Sequence, residues 1–254
     1  MADALEFDAI RKSYGRLDAL RSVSFRVGAG RSIALVGVNG AGKTTLLKSL
    51  LDFCAIDGGT IRIFGEDHRR PESRSRLAFL PERFTPPYYL SGREFLNLVL
   101  TLQRHPYDDG EAAAVLAELD LDPAALDRPA RSLSKGMTQK LGLSACFLAG
   151  KDLLVLDEPM SGLDPKARVL VKHVLERLRR EGRTLFFTTH ALADVEEVCD
   201  EMVILHAGQV RFAGDAAALR ARHGGCDLES AFLQSIGEPA PARGGRTGGA
   251  YTVY

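Results

Sequence analysis

A glycine-rich segment near the start of the chain constrains the fold more than any other feature. Residues Gly37–Thr45 read GVNGAGKTT and follow an aliphatic run, Ser32–Val36, that predicts a strand. A helix is predicted to begin near Lys43. The glycines let the backbone turn tightly with its N–H groups facing inward, and the start of the helix aims its positive end at the same point. The segment is therefore predicted to cradle the phosphates of a nucleotide.

Predicted strands and helices alternate along most of the chain. Apolar runs predict strands at Ser32–Val36, Leu77–Leu80, Leu153–Leu156, Thr184–Thr189 and Met202–Leu205. Amphipathic stretches predict helices at Lys43–Phe53, Gly92–Gln103, Glu111–Leu119, Lys135–Leu148, Pro165–Arg180 and Leu192–Cys199. Two of the strand runs are apolar throughout, which is typical of parallel strands covered on both faces. The sequence thus predicts an α/β fold built on a parallel sheet.

Two regions depart from this alternation. Residues 83–150 lack a clear strand, so they predict a helical subdomain inserted into the α/β core. Phe25–Val27 and Thr60–Phe64 alternate apolar and polar residues and predict a small antiparallel sheet near the N-terminus. We expect one domain over residues 1–236, followed by a tail rich in Gly, Pro and Arg over residues 237–254.

Composition narrows the class of protein. Lysine and arginine together number 33, as do aspartate and glutamate, so no overall basicity indicates nucleic acid as a partner. No apolar run approaches the roughly 18 residues that a bilayer-spanning helix needs. The first ten residues include three acids, unlike a secretory signal, so export is not expected. Four widely spaced cysteines indicate neither a zinc site nor a disulfide framework.

A second group of candidate residues follows another predicted strand. Asp157 and Glu158 come directly after Leu153–Leu156, at the carboxyl edge where parallel α/β sheets bind ligands. Asp157 is predicted to hold a metal shell, and Glu158 to take a proton from an attacking water. Lys43 is predicted to reach the terminal phosphates, and the Thr44 hydroxyl to ligate Mg²⁺. For a lone pair of acids, simple strand termination would be the better explanation, but the upstream phosphate cradle favours a site.

These motifs, in this order, resemble those of the ATP-binding cassette (ABC) ATPases, the nucleotide-binding subunits of ABC transporters. The resemblance runs from about Phe7 to Leu219. Gly37–Thr45 resembles Walker A, Leu153–Pro159 (LLVLDEP) Walker B, Leu133–Met137 (LSKGM) the signature, Ser161–Asp164 (SGLD) the D-loop and His190 the switch histidine. The resemblance implies a P-loop NTPase core with a parallel sheet flanked by helices, an N-terminal antiparallel β subdomain and an inserted α-helical subdomain.

The resemblance also implies roles for individual residues. Nucleotide contacts are expected at Tyr14, Gly37, Asn39, Gly40, Ala41, Gly42, Lys43, Thr44, Thr45, Ser134, Gly136 and Asp164. Contacts to the Mg²⁺ shell are expected at Thr44, Glu82 and Asp157, and catalytic roles at Glu158 and His190. Tyr14 would stack on adenine. Ser134 is predicted to cap a helix whose free N–H groups can bind a second phosphate.

In the family, that helix end faces the γ-phosphate held by another subunit. The resemblance therefore implies a second ATPase subunit, identical or related, joined head to tail around two ATP molecules. It also implies an integral membrane permease as partner and a peripheral location on the cytoplasmic face of the inner membrane. The LPE and SKGM variants, with LESAFLQSIG at Leu228–Gly237, are similar to the export-type branch.

The sequence departs from the family pattern at two places. Glu82 stands where many members have a glutamine, and a glutamate there could still act through water. Lys135 and Met137 replace the usual glycine and glutamine of the signature, whereas Ser134 and Gly136 are retained, so phosphate contact is expected to persist.

The sequence disfavours two other functions. A soluble ABC-type ATPase acting on nucleic acid or ribosomes generally carries two cassettes or a long coiled-coil insertion. This chain has a single motif set, with about ninety residues between Walker A and the signature. A P-loop kinase would give no reason for LSKGM, SGLD and His190 in that order.

Overall fold

The computed structural model describes residues 3–238, and two β-sheets organise them. The strands are β1 (Asp3–Tyr14), β2 (Leu17–Gly28), β3 (Ser32–Val36), β4 (Gly58–Ile63), β5 (Glu66–Asp67), β6 (Leu77–Leu80), β7 (Leu153–Asp157), β8 (Thr184–Thr189), β9 (Glu201–His206) and β10 (Gln209–Gly214). One sheet has the order β10-β9-β3-β8-β7-β6, parallel except for β10, and the other is antiparallel with the order β2-β1-β4-β5. This arrangement confirms the predicted fold class.

The helices connect the parallel strands and form a separate group between β6 and β7. They are α1 (Lys43–Leu50), α2 (Pro71–Arg74), α3 (Gly92–Leu102), α4 (Asp109–Glu118), α5 (Lys135–Leu148), α6 (Pro165–Arg180), α7 (Leu192–Val198), α8 (Ala216–Arg222) and α9 (Leu228–Ser235). Helices α3 to α5, with two short 3₁₀ helices at Pro123–Asp127 and Ala130–Ser132, lie in the segment where helices alone were predicted. Of the predicted tail, residues 239–254 lie outside the described residues.

Two neighbouring phenylalanines on β8 bind the layers together. Successive side chains of a strand point to opposite faces of its sheet, and both Phe186 and Phe187 are fully buried. Phe186 belongs to the cluster under the antiparallel sheet, where its ring lies 6.0 Å from the rings of both Phe7 and Phe25. Phe187 belongs to the cluster on the other face, which includes residues of α3, α5 and α6. The central strand is therefore covered on both sides, as its apolar run predicted.

Several elements differ from the sequence-based predictions. Helix α1 ends at Leu50 and not at Phe53, because Asp52 adopts a left-handed conformation with φ of 61° that a helix cannot continue through. Strand β2 is much longer than the predicted Phe25–Val27. The prediction was too short because the first part of the strand is exposed and lacks an apolar pattern. Six strands and helices were not predicted, namely β1, β5, β10, α2, α8 and α9. Most are short or lie at an edge, where tertiary pairing decides.

No helix within residues 3–238 has the length and apolar character needed to cross a bilayer. The four cysteines are all free thiols, and they lie at 54, 146, 199 and 226. Burial raises the pKa of the Cys146 thiol to about 12. That side chain therefore packs as a small apolar group in the core.

Replacing Phe186 by alanine tests the junction between the layers. We expect Phe186→Ala to lower the free energy of unfolding by about 3 to 5 kcal/mol, because the substitution removes a fully buried ring and leaves a cavity. Phe53→Ala is the matched control, since that ring is 68% exposed, and its effect should stay under about 1 kcal/mol. Urea unfolding followed by circular dichroism measures both, and equal losses would contradict the assignment of Phe186 to the core.

A buried histidine makes stability depend on pH. Burial lowers the pKa of His68 below its usual 6.5, although its Nδ1 lies 3.1 Å from the Ile61 carbonyl oxygen, a contact that opposes the shift. The unfolded chain therefore binds a proton more readily than the folded one, so the free energy of unfolding falls as the pH falls through 6.5. His68→Gln should flatten this slope in urea titrations between about pH 7.5 and about pH 5.5, whereas His173→Gln, at an exposed site, should leave it unchanged.

Candidate functional site

The loop between β3 and α1 can form only with glycine at two positions. Gly42 has a φ of 109°, and a Cβ atom there would lie 2.7 Å from the Ala19 carbonyl oxygen. A Cβ atom on Gly37 would lie 2.4 Å from the Leu205 carbonyl oxygen. Real Cβ atoms do not approach so closely, so both positions exclude larger residues. The close packing against the β1–β2 and β9 segments sets the loop at the carboxyl edge of the parallel sheet.

Lys43, the first residue of α1, is buried and points back into this loop. Its Nζ donates hydrogen bonds to the carbonyl oxygens of Gly37 at 2.5 Å and Val38 at 3.3 Å. Burial lowers the pKa of the ammonium group, while the carboxylates of Glu158, Asp157 and Glu82 oppose that shift. A lysine so placed presents a point charge to a phosphate that enters the loop.

A single hydroxyl group contacts both acids at the end of β7. Thr188 on β8 pairs with Asp157 across the parallel strands. Its Oγ1 donates to Asp157 Oδ1 at 2.5 Å and accepts the backbone N–H of Glu158 at 2.9 Å. Burial raises the pKa of Asp157, and the hydrogen bond from Thr188 counteracts that rise. The motifs in the sequence did not single out Thr188, although its place one residue from the end of the strand before His190 was a usable signal.

Glu158 occupies a strained position beside the histidine. Its φ is 50°, a conformation that residues other than glycine rarely adopt. The Glu158 side chain is 13% exposed, and its Oε2 lies 3.0 Å from Nδ1 of His190, whose side chain is 70% exposed. A carboxylate held in this way can accept a proton from water, and the imidazole beside it can donate a hydrogen bond.

Most of the predicted site residues line one cleft with a volume of about 910 Å³. The lining includes Tyr14, Asn39, Gly40, Ala41, Gly42, Lys43, Thr44, Thr45, Glu82, Asp157, Glu158 and His190. The lining also includes residues that were not predicted from the sequence. They come from the start of β2, the β9–β10 turn, the glycine-rich loop and the segment after β7, and are Leu17, Asp18, Ala19, Arg21, Val38, Ser161, Ala207 and Gly208. No local motif marks the residues of β2 and of the β9–β10 turn, because only the packing of the two sheets brings them to the cleft.

Four predicted nucleotide contacts do not line this cleft, namely Gly37, Ser134, Gly136 and Asp164. Ser134 caps α5 through a hydrogen bond from the Met137 N–H to its Oγ at 3.2 Å, as predicted, and Gly136 lies in the first turn of that helix. Asp164 caps α6 and accepts the Ala167 N–H at 2.9 Å. The α5 helix is nevertheless tied to the acids, because buried Gln139 donates to the Pro159 carbonyl oxygen at 3.0 Å. One chain thus brings together the cradle and the acids, but not the capped end of α5.

The oxygen donors in the cleft suit a magnesium ion that is shared with phosphates. No group of three or more His, Cys, Asp or Glu side chains within residues 3–238 could hold a metal ion unaided. Mg²⁺ commonly takes one or two protein oxygens and completes its octahedron with substrate phosphates and water. The Thr44 hydroxyl and the Asp157 carboxylate, with Glu82 nearby, supply such a partial set.

A comparison with protein-family models identifies the family of the chain that carries this cleft. The model of the family described as "ABC transporter" matches residues 20–161, more than half of the chain. The chain belongs to the ABC transporter family. Within that family it is an ATP-binding domain, since relatives described as ABC transporter ATP-binding proteins match it over most of its length.

Two of those relatives differ in how much of their length this ABC domain covers. It is 35% identical over 235 residues to Nod factor export ATP-binding protein I of Paraburkholderia xenovorans, covering 90% of this chain and 76% of that protein. It is 35% identical over 206 residues to an uncharacterised ABC transporter ATP-binding protein of Synechocystis, covering 80% of this chain. The chain spans 58% of the Synechocystis protein, less than two thirds of its length.

Solved structures share the fold of this ABC domain. An ATP-binding subunit of an ABC transporter matches with a TM-score of 0.84 and 30% identity, covering 91% of this chain and 99% of that one. A bacterial ABC transporter cassette solved as a dimer matches with a TM-score of 0.76 and 19% identity, covering 83% of this chain and 98% of that one.

Removing the Thr188 hydroxyl tests its hold on the two acids. We expect Thr188→Val to lower the free energy of unfolding by about 1 to 3 kcal/mol, because the Glu158 N–H and one Asp157 oxygen lose a buried partner. The same variant should hydrolyse ATP more slowly, since both acids lose their orientation. Thr188→Ser, which keeps the hydroxyl, is the matched control. Urea unfolding and phosphate release measure the two effects, and a Val variant equal to the Ser variant in both would contradict the role.

Proposed function

We propose that this ABC domain hydrolyses ATP as one of two subunits joined head to tail, and that it drives substrate through a separate membrane permease. The observation that carries the proposal is the division of its phosphate-binding groups. Lys43, Asp157 and Glu158 share one cleft, whereas the Ser134-capped end of α5 lies outside it. A second subunit whose α5 end meets this cleft would complete the site.

ATP binding would use both ends of the cleft. The N–H groups of the glycine-rich loop and the Lys43 ammonium would hold the β- and γ-phosphates. Thr44 and Asp157, with Glu82 close by, would hold the Mg²⁺ that neutralises phosphate charge. Tyr14 lines the same cleft and would stack on adenine.

Hydrolysis would depend on Glu158 and His190, whose side chains are in contact. The Glu158 carboxylate would accept a proton from water as the water oxygen attacks the γ-phosphorus. The bond from that phosphorus to the bridging oxygen breaks, which leaves ADP and inorganic phosphate. His190 lies 3.0 Å from Glu158 and would donate a hydrogen bond to the γ-phosphate. Thr188 and the strained backbone of Glu158 hold the carboxylate in place.

The second subunit would supply the free N–H groups at the start of α5, with Ser134 and Gly136 against the γ-phosphate and Asp164 near the shared surface. ATP would then favour the closed pair, and its hydrolysis would remove the bridge. The names of several relatives support an export role, because they are Nod factor export ATP-binding proteins. This chain covers about three quarters of the length of each of them. We therefore propose a peripheral position on the cytoplasmic face of the membrane, against an export-type permease.

Replacing Glu158 by glutamine tests the proton acceptor. Glu158→Gln should reduce phosphate release from ATP at least about 100-fold, because an amide cannot accept the proton from water. ATP binding should be retained. Glu181→Gln, at an exposed acid at the end of α6, is the matched control and should hydrolyse ATP at the unaltered rate. Hydrolysis by Glu158→Gln at the wild-type rate would reject the assignment.

The paired arrangement has its own test in the Glu158→Gln background. Light scattering should report a dimer with Mg²⁺ and ATP and a monomer without nucleotide. Adding Ser134→Glu should abolish the dimer, because a carboxylate would face the γ-phosphate of the other subunit. Ser134→Thr keeps the capping hydroxyl and should preserve it. A dimer that forms equally with the glutamate would contradict the head-to-tail pair.

A further inference from the structure

The Tyr14 ring stands at the open edge of the cleft and has support that no sequence motif indicates. Tyr14 is the last residue of β1 and is 48% exposed. An exposed ring that is free to rotate loses conformational entropy when it stacks on a base, so a ring that is already held in place binds better. Asp57 and Lys12 supply this restraint.

Asp57, in the loop before β4, holds the three residues that precede Tyr14. Its Oδ2 accepts the Ser13 N–H at 2.6 Å, its Oδ1 accepts from Lys12 Nζ at 3.1 Å, and its own N–H donates to the Arg11 carbonyl oxygen at 2.8 Å. The ladder between β1 and β4 ends where Arg11 pairs with Gly58. Asp57 therefore continues the attachment of β1 beyond the end of the ladder, up to the residue next to Tyr14.

Lys12 supports the ring itself. Residues two apart on a strand share a face, and Lys12 Nζ lies 5.3 Å from the centroid of the Tyr14 ring, within the range of a cation–π contact. The Lys12 side chain is 13% exposed and does not line the cleft, whereas Tyr14 does. The ammonium group thus contacts the ring from a residue outside the cleft lining, and Asp57 holds the ammonium group in place.

The ring hydroxyl lies beside the phosphate-binding helix. Cys54 and Thr45 are its polar neighbours, and the Cys54 side chain raises the pKa of that phenol. Thr45 belongs to α1, which begins at Lys43. The Tyr14 ring and the phosphate cradle are therefore close to the same short helix.

We propose that Asp57 and Lys12 are positioning residues that hold the Tyr14 ring in the orientation that stacks on the base of ATP. Affinity for ATP then depends on them, whereas affinity for the phosphates alone does not. This inference rests on the proposed function of the cleft as an ATP site.

Equilibrium binding of two ligands to the full chain separates these effects. Isothermal titration calorimetry in the presence of Mg²⁺ measures the affinity of the chain for ATP, which has a base, and for tripolyphosphate, which has none. We expect Asp57→Asn and Lys12→Met each to weaken ATP binding by about 3- to 10-fold, the range that the loss of one aromatic stack gives. Tripolyphosphate binding should be unchanged. At saturating ATP, kcat should hold while KM rises, because the ring does not touch the reacting atoms.

Asp67 provides a matched control on the same antiparallel sheet. Its carboxylate also accepts one backbone N–H and one basic side chain, both from Arg69, but it does not line the cleft. Asp67→Asn should therefore leave the affinities for both ligands at their wild-type values. The control distinguishes an effect on ATP affinity that arises from the support of Tyr14 from one that the loss of any surface carboxylate would cause.

A double-mutant cycle decides whether the effect passes through the ring. In a Tyr14→Ala background, Asp57→Asn and Lys12→Met should cause no further loss of ATP affinity. The proposal is overturned if either variant loses ATP affinity equally in that background, if tripolyphosphate binding weakens as much as ATP binding, or if Asp57→Asn and Lys12→Met both leave ATP affinity unchanged. Should Asp57→Asn fail to fold, Lys12→Met carries the same test alone. A wild-type chain that binds neither ligand would instead reject the proposed function.

Discussion

The parallel pairing of β7 with β8 is the constraint on which the site depends. This register places Thr188 opposite Asp157, so that one hydroxyl reaches the carboxylate of Asp157 and the backbone N–H of Glu158. A shift of one residue would turn the Thr188 side chain to the other face of the sheet. The same strand continues to His190, which meets the Glu158 carboxylate. Two adjacent strands thus determine the position of both acids and of the imidazole.

Burial in the cleft disfavours the charged forms of Lys43 and Asp157, and an anionic ligand with its cation would compensate that cost. Lys43 is a buried cation, and burial lowers its pKa, while burial raises the pKa of Asp157. Both shifts disfavour the charged forms, although the two groups attract each other. Triphosphate and Mg²⁺ bring further charge of both signs, which would compensate this cost on binding.

The two faces of the central sheet carry different parts of the proposed site. One face carries α1 and the antiparallel sheet, which bring Tyr14 and the glycine-rich loop to the cleft. The other face carries α5 and α6, whose caps, Ser134 and Asp164, lie outside it. Gln139 connects α5 to the segment that follows Glu158. A displacement of α5 by a second subunit would therefore act directly on the segment that bears the proposed proton acceptor.

Several elements could be predicted from the sequence because their chemistry is local. Gly37–Thr45 requires glycine for its backbone conformation, the run Leu153–Leu156 has the apolar character of a strand buried on both faces, and Ser134 caps its helix with its own side chain. Each of these signals lies within a few consecutive residues, so a pattern can reveal it. The Asp157–Glu158 pair could be placed at the edge of the sheet for the same reason.

Contacts between segments that are distant in sequence depend instead on the folded chain. Thr188 acts on the acids across 31 residues of sequence, and Asp57 reaches Ser13 across 44. Strands β1 and β10 form because partner strands offer hydrogen bonds, and not because their residues alternate cleanly. Hydrogen bonds between distant residues leave no period or motif in the sequence. The support of the Tyr14 ring and the orientation of both acids are therefore properties of the folded chain.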